Sequence, residues 1–124
     1  MGMVRAVTSF GRSGLSDWLL QRVSGVVIAA YFLFIVFWLV GHKGVDYATW
    51  LALHQMTCMK IFNTVTLLSV VAHAWIGIWA VLTDYITVRL LGPKATVLRL
   101  VLEMAAIGLL IVYTLWGLDI VWGV

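Results

Sequence analysis

Apolar and polar positions in this chain are sorted by whole segments rather than by single turns. Three stretches, about residues 19–40, 61–82 and 96–118, are almost continuously apolar, and the residues between them carry the charges and the turn formers. No Lys, Arg, Asp or Glu occurs between Arg22 and Lys43, nor between Lys60 and Asp84. At about 1.5 Å per helical residue, about 20 residues cross a ~30 Å hydrocarbon core. The pattern predicts an all-α membrane protein with three transmembrane helices, in a single domain covering residues 1–124. The third stretch contains Arg99 and Glu103, four apart on one helical face. Their pairing would lower the cost of a carboxylate one or two turns inside the membrane.

The polar segments predict the connections. Residues 1–18 are polar and glycine-spaced, with Ser13 or Ser16 as candidate helix caps and Trp18 placed for the interfacial belt. The connector from Gly41 to Lys60 holds His42, Lys43, Asp46, Trp50, His54 and Cys58. It reads as a loop lying partly along the interface, with both histidines solvated. In the second connector Gly92-Pro93 marks a turn or a helix start. With three spans, the N-terminus and this second connector share a side. That side carries Arg5, Arg12, Arg22, Arg89, Lys94 and Arg99, against Lys43 and Lys60 on the other. Basic residues favour the cytoplasmic face, so the expected orientation is N-terminus inside and C-terminus outside.

Composition supports the membrane assignment and excludes other classes. The chain of 124 residues is 64% hydrophobic and 10% charged, where soluble domains carry about 25% charged residues; its mean hydropathy is +1.08. The net charge of +3 comes from basic residues scattered at the ends of apolar runs, with no basic patch interleaved with aromatics, so nucleic acid is not the expected partner. A single cysteine, Cys58, cannot form an internal disulfide. The first apolar run is too long for a signal-peptide core and lacks a cleavage pattern after it. The first 16 residues contain Arg5 and Arg12 and no acid, which would suit a short organellar presequence; the simpler expectation is a first helix that acts as its own insertion signal.

Chemistry concentrates in the second apolar run. His73 is the only histidine at membrane depth, and lipid offers its ring nitrogens nothing. A hydrogen bond to a neighbouring helix, an ion pathway and a metal ligand are all open to it. At about 100° per residue, His73 falls within about 80° of Ser69, Gly77, Ala80 and Asp84, so small residues share its stripe. Such stripes admit a helix or a flat cofactor at close range. Trp75 and Trp79 fall off the stripe and read as bulk packing or lipid contact. A haem held by two histidines would need its second ligand from another chain. Tyr85 lies 12 residues, about 18 Å, further along the helix. Asp17, Arg22, Ser24, Asp84 and Tyr85 would then form a polar cluster at one membrane boundary, for which interfacial anchoring is the plain explanation.

The stretch His73-Ala74-Trp75-Ile76-Gly77, continuing through Trp79 and Val81-Leu82-Thr83-Asp84-Tyr85, resembles the second-helix motif of the hydrophobic membrane anchor subunit of bacterial succinate dehydrogenase. Gly11-Arg12, Gly14, Asp17 and Arg22 are similar to that family's approach to its first helix, and the ending Val121-Trp122-Gly123-Val124 to its C-terminus. Ser16 stands where some relatives have histidine, so no role is carried over there. The resemblance implies a subunit of succinate:ubiquinone oxidoreductase in a bacterial inner membrane, with a mitochondrial inner membrane as the other setting for the family. It would pair with a second three-helix cytochrome b subunit and hold an iron–sulfur subunit and a flavoprotein subunit at the inner face. His73 would be one axial ligand of haem b, with the other supplied by the partner chain. Tyr85 would donate a hydrogen bond to ubiquinone, with Asp84 and Arg22 at the quinone pocket or haem propionates. Succinate oxidation itself would take place on another subunit. The same chemistry run in reverse would make the chain a fumarate reductase anchor. A purely structural anchor and a small transporter are the alternatives of other classes. The sequence assigns no role to Cys58, His42, His54 or Glu103.

Overall fold

The computed structural model describes residues 14–124, and every long element within them is helical. In order these are α1 (Gly14–Gly41), α2 (Tyr47–Gln55), α3 (Thr57–Tyr85), the short α4 (Val88–Leu91), a 3₁₀ turn (Gly92–Lys94) and α5 (Ala95–Trp122). Arg5, Arg12 and the cap candidate Ser13 lie outside the described residues. By length and composition, α1, α3 and the continuous Val88–Trp122 segment are able to cross a membrane.

Each long helix extends beyond the apolar run that predicts it. The three have 28, 29 and 28 residues, about 42 Å each, against a ~30 Å hydrocarbon core. Backbone hydrogen bonding continues past the last apolar residue, because polar side chains at a helix end can sit among head groups. Ser16 accordingly lies within the first turn of α1, not ahead of it.

The predicted loop 41–60 contains α2. Asp46 caps it: its Oδ1 accepts from the Thr49 backbone N–H at 2.8 Å and from the Thr49 hydroxyl at 2.6 Å. Those two bonds hold the Asp46 carboxyl below the usual carboxylate range. Met56, in an extended conformation, separates α2 from α3. In the second connector Thr87 caps α4, and Gly92 adopts φ 78°, a left-handed conformation that side chains disfavour. Pro93 then opens the 3₁₀ turn, as the sequence predicts.

Helix α3 is the centre of the molecule, with α1 packed on one side of it and α5 on another. The buried apolar residues are few: Met59, Ile76 and Leu82 on α3, Ala95 and Ala106 on α5. Buried beside them are three polar residues, Asp17, Ser24 and Thr66. Large apolar side chains such as Phe32, Phe37, Met104 and Leu115 point outward, as lipid permits and water would not. The α1–α3 contact is made by Tyr31 and Phe34 against the edge of Phe62, at centroid distances of 5.0 and 5.7 Å. On the α5 side Gly117 admits Leu67, whose Cδ2 would lie 2.8 Å from an added Cβ. The ends are tied by the Trp122 indole, which donates to Thr64 Oγ1 at 2.9 Å, and by Lys60 Nζ, which donates to the Val124 main-chain oxygen at 2.6 Å. Arg99 and Glu103 approach to 4.0 Å, the pairing expected from their spacing.

Candidate functional site

The small stripe of α3 faces α1 across a groove of about 960 Å³. From α3 come His73, Gly77, Ala80, Thr83 and Asp84; from α1 come Asp17, Trp18, Gln21, Arg22, Gly25 and Ala29. Ser69 alone departs from the stripe's shared role. Its hydroxyl turns back to donate to the Val65 carbonyl at 2.8 Å. Trp79, expected to be packing or lipid bulk, lines the groove with His73. Side chains as large as indole sweep well outside the angle of their own Cα. Trp75 lines a different, apolar groove between α3 and α5.

His73 is fixed by Ser24, a residue 2% exposed. Ser24 Oγ lies 3.1 Å from His73 Nδ1 and donates its hydrogen to the Gln21 carbonyl, also at 3.1 Å. A serine hydroxyl has one proton and accepting lone pairs. Directed to Gln21, that proton would leave the oxygen to accept from a hydrogen on His73 Nδ1, with the ring's lone pair on Nε2. Gly25 lies against the same ring: a Cβ added there would stand 3.6 Å from His73 Cε1, in ordinary contact.

The predicted boundary cluster is only partly assembled. Asp17, 6% exposed, Arg22 and Asp84 share the groove. The Arg22 guanidinium lies 5.3 Å from the centroid of the Trp18 ring. Ser24 does not join the cluster but reaches His73 instead. Tyr85, at the last residue of α3, is 66% exposed and is not among the groove's lining residues. Gln21 was not singled out from sequence, although its Oε1 is buried in the site without a hydrogen-bond partner. Its spacing, one turn before Ser24-Gly25, was the available signal. Thr83, quoted from sequence only as part of the His73-to-Tyr85 motif, donates its hydroxyl hydrogen back to the Trp79 or Ala80 carbonyl.

The two histidines of the first connector do not share one environment. His42 is exposed as expected, stacked on Trp38 at 4.3 Å and bonded through Nδ1 to the Trp38 carbonyl at 2.8 Å. His54 is not solvated. It packs 4.4 Å from the Trp50 ring centroid, and its Nδ1 lies 2.8 Å from Asn63 Nδ2. Burial holds its imidazole below the usual histidine range. The difference from the expected solvated histidine comes from helix α2, which folds it back onto α3.

Among the described residues, no group of three or more His, Cys, Asp or Glu side chains converges as a metal cage. Cys58 is exposed and apart from both clusters.

Residues 3–116 match the family model described as the succinate dehydrogenase/fumarate reductase transmembrane subunit. The succinate dehydrogenase hydrophobic membrane anchor subunit of Coxiella burnetii is 34% identical over 111 residues, covering 90% of each chain. Proteins of the same description from Rickettsia prowazekii and Rickettsia felis are 34% and 33% identical over 83 and 79 residues. These alignments cover 64% and 60% of this chain, and 63% and 62% of the relatives. A three-span helical chain with its polar groove on the second span, matched by that model over nearly its whole length, belongs to the succinate dehydrogenase/fumarate reductase transmembrane subunit family, among its hydrophobic membrane anchors.

Proposed function

We propose that this succinate dehydrogenase membrane anchor presents His73 as one axial ligand of a haem b shared with a second, three-helix membrane chain. In the same reading it contributes Tyr85, together with Arg22 and Asp84 from the groove, to the place where ubiquinone is reduced. The observation that carries the proposal is the Ser24–His73 bond. With the serine proton on the Gln21 carbonyl, this contact would pair with a hydrogen on Nδ1 and leave the lone pair on Nε2, the arrangement in which imidazole binds iron.

The donor set fits a haem better than a caged metal ion. A porphyrin brings its own equatorial nitrogens and asks the protein only for axial ligands, and one histidine in a mostly apolar groove supplies one of them. When bound, the haem supplies a one-electron redox centre at the depth of His73. Ser24 holds the ring in orientation, and Gly25 presents no side chain to the ring edge. Arg22, at the Asp17–Asp84 end of the groove, offers a guanidinium to anionic oxygens such as propionate carboxylates.

Tyr85 lies one helical segment beyond His73 on the unbroken α3, about 18 Å away along the axis. Its exposed phenol can donate to a quinone oxygen at the interface while the apolar tail of ubiquinone stays in lipid. A positioned donor stabilises the negative charge that develops on that oxygen as electrons arrive. Asp84, adjacent and exposed, can hold a proton for delivery there. The charge asymmetry orients this end toward the cytoplasm, where the iron–sulfur and flavoprotein subunits would dock, and the bacterial relatives point to a bacterial inner membrane.

The test is optical. The purified complex should show a b-type reduced-minus-oxidised spectrum, lost or shifted in His73→Ala. A spectrum unaltered in that variant removes the ligand assignment.

A further inference from the structure

Gln21 lines the His73 groove, and the proposed function leaves its side chain without a role. The pairing of α1 with α3 sets its place. Ser24 meets His73 at 3.1 Å, so Gln21, about one turn before Ser24, falls level with Gly77, about one turn after His73. Gly77 has no side chain to cover it: a Cβ added there would stand 3.8 Å from Gln21 Nε2. The carboxamide therefore lies between His73 and the end of the groove lined by Asp17, Arg22 and Asp84.

The two ends of that carboxamide differ. Oε1 is buried with no hydrogen-bond partner. A ligand in the groove does not reach it, so its burial is a cost that the rest of the side chain must offset. Nε2, the end beside Gly77, carries two hydrogens and makes no hydrogen bond with the described residues. The hydroxyls nearby are committed elsewhere: Ser24 donates to the Gln21 carbonyl, and Thr83 to the Trp79 or Ala80 carbonyl. Among the amide and hydroxyl donors of these residues, Gln21 Nε2 is the one left for a ligand.

Magnitudes select the ligand atom. A hydrogen bond to a charged acceptor is roughly twice as strong as one between neutral groups, so an anionic oxygen offsets the buried Oε1 better than a carbonyl does. Among the described residues that line the groove, Arg22 is the only cation, while Asp17 and Asp84 repel an anion at the same end. A carboxylate approaching from His73 reaches Gln21 at least one turn before it reaches that acidic pair.

We infer that Gln21 is a further haem-binding residue, whose Nε2 donates to a propionate carboxylate and holds it short of Asp17 and Asp84. The inference rests on the haem reading of His73 given above. Donation draws negative charge away from the iron, which favours the reduced haem and raises its potential.

The readout is the midpoint potential of the haem, titrated in the purified intact complex by following the b-type band. Gln21→Glu is nearly isosteric and replaces the donor by an acceptor. It should lower the potential by about 59 mV, a tenfold shift in the ratio of oxidised to reduced haem for one electron. Gln21→Lys, which restores a donor at similar reach, should keep the potential at or above the wild-type value. Gln21→Met, matched in length but without a donor, should fall between wild type and Gln21→Glu, and it keeps the test decisive if a charged variant does not assemble. Potentials equal to wild type in Gln21→Glu and Gln21→Met overturn the inference. So does a fall of the same size in Gln21→Lys and Gln21→Glu, the mark of a packing role. The His73→Ala spectrum separates this failure from that of the haem reading. With the b-type band lost in His73→Ala, unchanged potentials in the Gln21 variants remove Gln21 alone; with the band unaltered in His73→Ala, both assignments fall.

Discussion

His73 and His54 are the same residue put to opposite electronic use by a neighbour. Each meets its neighbour through Nδ1, at 3.1 Å from Ser24 and 2.8 Å from Asn63. The serine partner can accept from Nδ1–H while its own proton goes to the Gln21 carbonyl, which would leave the His73 lone pair on Nε2. Asn63 reaches His54 with an amide nitrogen, which can only donate and would put the His54 hydrogen on Nε2. The first arrangement suits a ligand and the second a hydrogen-bond donor. The contrast shows that a buried histidine has no fixed chemical role; the partner at its first nitrogen decides what its second can do.

The variants expected to have the largest effect act at the groove end of this comparison. Tyr85→Phe should reduce quinone reduction about a hundredfold, as when one positioned donor to a developing oxyanion is removed. Succinate oxidation with a soluble acceptor should be unchanged, and a parallel loss of both activities would point to damaged assembly. Ser24→Ala should weaken haem retention about tenfold, the usual consequence of deleting a ligand's outer partner. Ser24→Thr, which keeps an accepting oxygen, should restore most of it, as titrated with added haem. If Ser24→Ala retains haem as the wild type does, the distinction between the two histidines loses its chemical basis.

Smaller effects are expected at the other end. Asn63→Leu breaks two interhelical bonds, each worth about 0.6 kcal/mol in a membrane protein. It should lower the thermal stability of the complex modestly and leave the haem band in place. The pH dependence there has a definite sign. Burial depresses the His54 pKa, so the unfolded chain takes up a proton before the folded one does. Stability from this source is complete above the ordinary histidine pKa of about 6.5 and is lost as pH falls from there toward the depressed value. Thermal melts at high and low pH should therefore converge in His54→Phe relative to the wild type.

The fold was legible because lipid imposes a coarse rule. Apolar runs long enough to span a bilayer are hard to mistake, and all three are helices. The stripe of Gly77, Ala80 and Asp84 beside His73 also emerged from helical geometry alone. What escaped the sequence reading depends on tertiary contact. Ser24 lay in the expected boundary cluster, yet its partner is 49 residues away on another helix. Asn63 carried no signal, since its worth comes from Tyr31 on one side and His54 on the other. Helix α2 is not legible in the sequence because its nine residues are few and mixed in polarity, and the Asp46–Thr49 cap that starts it is a single local signal. Membrane burial makes His73 a costly residue in need of a partner; resemblance supplies haem as the reason, and the structure supplies Ser24 as the neighbour at Nδ1.

The most direct measurement is the optical spectrum of the intact His73→Ala complex, recorded with and without added imidazole. The account expects the b-type band to be lost or shifted and then largely restored when imidazole occupies the space the side chain vacated. A band identical to wild type without imidazole would contradict the assignment of His73 as a ligand.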